Sequence, residues 1–174
     1  MPQLPIRLYG DPVLRRKAEP LAAIDDEIRR LAADMIETMY EANGVGLAAP
    51  QVGRAIRMLV ADASHADGGP GPRVFINPEI LESWDEAVYD EGCLSLPGLS
   101  AEITRPEAIR LRFFDEHGTE REEELHGLWA RVLQHEIDHL EGRLFIDKLS
   151  PMRRALMDRK LKELVRESKS RIDV

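Results

Sequence analysis

Residues 134–140 read Gln-His-Glu-Ile-Asp-His-Leu. His135 and His139 stand four apart, with Glu136 directly after the first. On a helix this spacing stacks both imidazoles on one face, where they can hold one metal ion with the glutamate beside them as a general base. The surrounding pattern predicts a helix from about Leu128 to Glu141, stopped by Gly142. At about 100° per residue, Leu128, Val132 and His139 fall on the His135 face, while Trp129, Leu133, Ile137 and Leu140 cluster opposite. The helix therefore anchors on one side and floors a pocket on the other. The rest of the chain has to enclose it and supply a third ligand, because catalytic metal sites usually take three protein ligands and keep one position open.

The remaining histidines make poor third ligands. His65 lies in the turn-rich stretch Asp62–Pro72, and His117 sits at a hairpin tip in Asp115-Glu116-His117-Gly118. Both positions favour solvent. His126 lies nine residues before His135, on the opposite face of the helix. Cys93 remains, in Glu91-Gly92-Cys93-Leu94-Ser95-Leu96-Pro97. A lone cysteine is ordinarily a small buried hydrophobe. As a thiolate it is a good ligand for zinc or ferrous iron, and with two histidines it would leave one tetrahedral position open. A third stretch, Asn43-Gly44-Val45-Gly46-Leu47-Ala48-Ala49-Pro50-Gln51, reads as backbone lying close against something. It lacks the Gly-Lys-Ser/Thr ending of a phosphate loop, and a Gly-rich turn after a helix is its default reading.

Along the chain, Ile28, Leu31, Met35, Met39 and Ala42 predict a helix over 25–42 with Asp25 or Asp26 as N-cap. Strands are expected at 57–61, 73–76, 87–89, 108–114 and 120–125. A last helix should begin at Ser150-Pro151 and run to about Ser168. The expected fold class is α+β, with mixed or antiparallel strands packed around a central metal-binding helix and further helices at the N- and C-terminal ends.

At 174 residues, 43% of them hydrophobic, the composition suits one catalytic domain over 1–174, with 150–170 as a basic helical appendage. A net charge of −8 argues against a general nucleic-acid binder, and no sequence-specific nucleic-acid partner is expected. The start of the chain does not read as a secretory signal, and no apolar run approaches a membrane span. A single cysteine fits a reducing, cytoplasmic location.

The three motifs together resemble peptide deformylase. Gly44–Gln51 is similar to that family's GxGLAAxQ, Glu91–Ser95 to its EGCLS, and Gln134–Leu140 to its QHExDHL. The likeness extends over nearly the whole chain, although Gly98-Leu99-Ser100 offers no arginine where some relatives carry one. The resemblance implies hydrolysis of the formyl group from the N-terminal formylmethionine of nascent polypeptides, with release of formate. It implies Cys93, His135 and His139 as ligands to one divalent metal and Glu136 as acid/base. Gln51 and the Leu94 backbone N–H would be donors to the oxyanion, with Gly46 contacting substrate. Ferrous iron is the metal expected in the cell; zinc, nickel or cobalt are the metals a preparation can carry. Val45, Leu128 and Val132 are candidates for the methionine slot, and Glu91, Asp138 and Arg105 for groups that orient a ligand.

Two other classes are weighed against this one. A zinc-dependent peptidase with the same His-Glu-x-x-His helix would take a further His or Glu downstream; the segment after His139 offers Glu141 and no histidine, and Cys93 with its flanking residues favours the deformylase. A non-catalytic ribosome-associated protein would not require Glu136. The segment from Lys148 to Arg171 holds nine Lys/Arg against three Asp/Glu, a net of +6 that leaves −14 on the rest of the chain. Such a helix could meet ribosomal RNA phosphates. Its Leu156, Leu161, Leu164 and Val165 are expected to pack on the body.

Overall fold

A computed structural model describes residues 3–172. A short 3-10 turn at Pro12–Arg15 precedes helix α1, Asp26–Glu41. Asp25 caps α1 by accepting from the Ile28 N–H, and the apolar stripe at Ile28, Leu31, Met35 and Met39 is buried. Strand β1, Gly46–Ala48, leads through a 3-10 turn at Ala49–Val52 into β2, Met58–Ala61. A four-residue turn of helix, α2 at Ser64–Asp67, interrupts the loop that follows. Next come β3, Arg73–Trp84, β4, Ala87–Gly92, β5, Ser100–Arg105, β6, Ala108–Phe114, and β7, Glu120–His126. Helix α3 spans Gly127–Leu140, followed by a 3-10 turn at Phe145–Lys148, α4 at Pro151–Ala155 and α5 at Asp158–Ile172.

Five strands form one antiparallel sheet in the order β1-β2-β3-β6-β7, and β4 and β5 make a separate antiparallel pair. Helix α3 lies between them and is buried on nearly every side, from Trp129 through Ile137 and on to Leu140. Three apolar clusters result. One joins α3 to the inner face of the sheet, one seats α1 against β2 and β3, and one gathers Leu96, Ala101 and Ile103 with Phe145, Leu161 and Leu164. The α+β expectation of antiparallel strands around a central histidine-bearing helix holds. No helix among the described residues is long and apolar enough to cross a membrane.

Several expected boundaries differ. β3 continues far beyond residue 76, past Pro78, because register shifts against β6 between Ile76 and Glu79 absorb the residue that cannot donate to the ladder. Asn77 sits there at φ 50, and its side chain ties down Leu21 through both N–H and C=O. The segment expected as a Gly-rich turn contains β1, paired to Ala61, Val60 and Leu59 of β2. β5 was not expected; its inward positions are Ala101, Ile103 and Arg105, and the buried arginine breaks an otherwise apolar alternation. The last helix is two helices. The chain turns at Leu156-Met157, which brings Met157 toward the third cluster and leaves Leu156 84% exposed rather than packed.

Candidate active site

Two elements converge on one cavity of about 450 Å³. Helix α3 brings His135 and Glu136 to its wall and buries His139 one turn further on, with the two imidazole centroids 5.1 Å apart. β4 ends at Gly92, so Cys93 emerges at the rim of the same cavity. The ligand atoms of Cys93, His135 and His139 all lie within 4.8 Å of one another. Cys93 Sγ is 3.4 Å from His139 Nε2. Across from them the Glu136 carboxylate stands 4.0 Å from His135 Nε2 and 3.9 Å from His139 Nε2. Glu136 Oε1 is buried without a hydrogen-bond partner, an orphaned acceptor that normally requires a reason. One thiolate and two imidazoles, with a buried carboxylate facing them, fit a divalent cation of borderline softness.

The electrostatics match that arrangement. Burial pushes the Glu136 carboxyl up to about 7, assisted by the nearby Glu91 charge and opposed by His135. Glu91 behaves in the opposite way. Burial disfavours its charge, but hydrogen bonds with His135 and Arg105 outweigh that and hold it far below the ordinary carboxylate range. Glu91 Oε1 lies 2.9 Å from His135 Nδ1, which leaves Nε2 facing the cavity. Arg105 grips both Glu91 oxygens, at 2.6 and 3.0 Å, and also donates to Asp138 at 2.8 Å. Phe145 stacks on the His135 ring with centroids 6.2 Å apart.

Gln51 comes from the 3-10 turn after β1. Its Oε1 accepts from the Ala48 N–H at 2.9 Å, which fixes the amide's orientation. Its Nε2 reaches Ser95 Oγ at 3.1 Å and lies 3.6 Å from Cys93 Sγ. The glutamine N–H groups thus point at the ligand cluster. Gly46 runs against the floor so closely that a Cβ there would stand 2.6 Å from Glu136 Oε2 and 2.7 Å from Val132 Cγ1. Val45, Leu94, Leu128 and Val132 line the same cavity. Val132 also belongs to the main apolar cluster, so the two faces of α3 are less separate than the helical pattern suggests.

The residues singled out in the sequence for ligation, catalysis, the slot or ligand orientation are at the cavity or one contact behind it, except Asp138, which reaches it through Arg105 and Glu91. His65 is exposed, and His117 and His126 stand well away with side chains 74% and 59% exposed. Two residues carried no assignment. Ser95, fully buried, receives the Gln51 hydrogen bond. Arg131, also buried, lines the cavity and binds Glu91. Its signal was available, because a charge one turn before His135 on the metal-facing side of a buried helix demands a partner.

The family model for polypeptide deformylase matches residues 3–155. The peptide deformylase of Mesorhizobium japonicum is 48% identical over 168 residues, covering 96% of each chain. That of Alkalilimnicola ehrlichii is 51% identical over 166 residues, covering 95% of this chain and 93% of its own. The crystal structure of peptide deformylase from Thermus thermophilus superposes with a TM-score of 0.87 at 47% identity, covering 94% of this chain and 98% of that one. At this similarity over nearly its full length, the chain belongs to the peptide deformylase family.

Proposed function

We propose that this protein removes the formyl group from the N-terminal formylmethionine of nascent polypeptides, releasing formate, with one divalent metal held by Cys93, His135 and His139. The observation that carries the reading is the convergence of those three ligand atoms beside the orphaned Glu136 carboxylate, inside a cavity with an apolar wall. When bound, the metal supplies Lewis acidity, lowering the pKa of water and polarising the formyl oxygen. Glu136, buried beside the ligand cluster, would take the proton of the attacking water and return it to the departing amine. Water oxygen joins the formyl carbon, the C–N bond breaks, and formate and a free methionine amine leave.

Negative charge on the formyl oxygen would be met by the Gln51 Nε2–H and the Leu94 backbone N–H. A preset donor of this kind is typically worth about 3 kcal/mol of barrier. Ser95 and the Ala48 N–H hold the Gln51 amide in place before substrate arrives. Gly46 lets the β1 backbone approach the substrate, and Val45, Leu128 and Val132 offer the methionine side chain an apolar slot. Glu91 orients His135, Arg105 holds Glu91, and Asp138 in turn holds Arg105.

The thiolate in the donor set suits ferrous iron and zinc alike, and the family resemblance is what favours ferrous iron in the cell. Purification under strict anaerobiosis, followed by metal analysis and a formate-release assay on formyl-Met-Ala-Ser, tests both parts. The expected result is close to one iron per chain and turnover lost to a chelator. Turnover that persists in fully metal-depleted protein contradicts the reading, and zinc in place of iron would correct the metal alone.

We also propose that the C-terminal helices contact ribosomal RNA. The net +6 on a chain of net −8 supports this.

A further inference from the structure

The two elements that carry the ligands share no β-ladder. β4 pairs only with β5, outside the five-stranded sheet, and Cys93 follows β4 directly. Both histidines come from α3. Besides the Tyr9 N–H to Ser95 carbonyl bond and the Gln51 contacts, the thiol is held against the imidazoles by side chains that cross between α3 and the β4–β5 hairpin.

Arg131 is placed to do this. It projects from α3 one turn before His135 and is only 5% exposed. Its Nη1 donates to Glu91 Oε2 at 2.6 Å and to the Ile103 carbonyl of β5 at 2.8 Å. Its Nη2 donates to the Ala87 carbonyl of β4 at 2.8 Å. The guanidinium carbon also lies 5.2 Å from the Tyr89 ring centroid. One side chain thus ties α3 to both strands of the hairpin and to the carboxylate that fixes the His135 ring. A wall that needed only bulk would be apolar at this position, because a buried arginine is costly unless its donors are all engaged.

We propose that Arg131 is a positioning residue, which locks Glu91 and the β4–β5 hairpin onto α3 so that Cys93 and the histidines keep a common geometry. This rests on the ligand reading above and goes beyond it by assigning a role to a residue outside the reacting atoms. Outer partners of metal ligands typically change metal affinity or activity by about 10- to 100-fold when removed.

The test is release of cobalt(II) from the loaded full-length protein to a chromophoric chelator, with kcat and KM on formyl-Met-Ala-Ser measured alongside. Arg131→Met should release cobalt at least about tenfold faster than wild type. It should also lose kcat, and Arg131→Lys, which keeps the charge without the fork, should fall between. Release within about twofold of wild type from a folded Arg131→Met protein, with only KM altered, would make Arg131 a cavity wall and overturn the inference. If Arg131→Met does not fold, Arg131→Lys carries the reading, and a wild-type release rate there overturns it equally. His139→Ala, run in parallel, examines the ligand reading itself. If that variant still holds one cobalt at wild-type affinity, the ligand assignment fails whatever Arg131 does.

Discussion

At the scale of single residues, Gly46 shows how little room the chemistry has. The backbone of β1 passes the Glu136 carboxylate so closely that one added carbon would sit inside contact distance of both Glu136 and Val132. Gly46→Ala must displace the acid/base or narrow the slot, and a misplacement of about 1 Å can cost about 100-fold in rate. The expected outcome is a folded, metal-containing protein whose kcat/KM falls by about that factor; kinetics near wild type would contradict the placement of Gly46. The ligands were legible in the sequence because helical spacing puts His135 and His139 on one face and disposes of His126. The resemblance in the Glu91–Ser95 motif then implied Cys93, which spacing alone left among default readings. Arg131 offered only the signal of a charge on a buried helix face, which demands a partner without naming it. Its partners are a carboxylate and two carbonyls on strands 28 to 44 positions away, and no local pattern announces a contact of that range.

At the scale of elements, the well-read segments are those with one dominant signal. α1 has an uninterrupted apolar stripe and an Asp25 cap, and β6 and β7 flank a plain turn. The misread segments carry conflicting signals that tertiary structure resolves. Pro78 argues against a strand, but a bulge accepts it. Arg105 argues against an inward position, but Glu91 and Asp138 receive it. The 3-10 turn after α3 offers a test of local electrostatics. Asp147 accepts from the Leu144 N–H at 3.0 Å and from Arg15 at 2.7 Å. Burial disfavours its charge, but the Arg15 and Leu144 hydrogen bonds outweigh that and hold its carboxyl below the ordinary carboxylate range. A lowered folded-state pKa contributes stability above the unfolded value, which is lost as pH falls through the folded one. Denaturant unfolding should therefore show Asp147→Asn less stable than wild type at neutral pH, with the gap closing as the pH falls below the ordinary aspartate range. An equal gap at neutral and acid pH would contradict this account.

At the scale of the whole molecule, the three apolar clusters explain why the C-terminal helix is no loose attachment. Leu161 and Leu164 of α5 pack with the hairpin residues Ala101 and Ile103, and Val165 packs over Gly10. Truncating the chain after Pro151 would open that cluster, so a surface test of ribosome contact needs charge reversal instead. Arg159→Glu with Arg166→Glu should weaken pelleting with ribosomes and flatten its salt dependence, while deformylation of a free peptide stays unchanged. Unaltered pelleting would remove the proposed contact. The asymmetry of charge was legible in the sequence, but the splitting of the last helix and the exposure of Leu156 were not, since both follow from where the body leaves room. The most direct test of the whole account concerns Glu136. Metal content and formate release should be measured together on Glu136→Ala and on wild type, both loaded with the same metal. The account predicts about one metal per chain in each and turnover only in wild type, because the carboxylate moves the proton and does not ligate. Substantial turnover in the metal-loaded Glu136→Ala protein would contradict it.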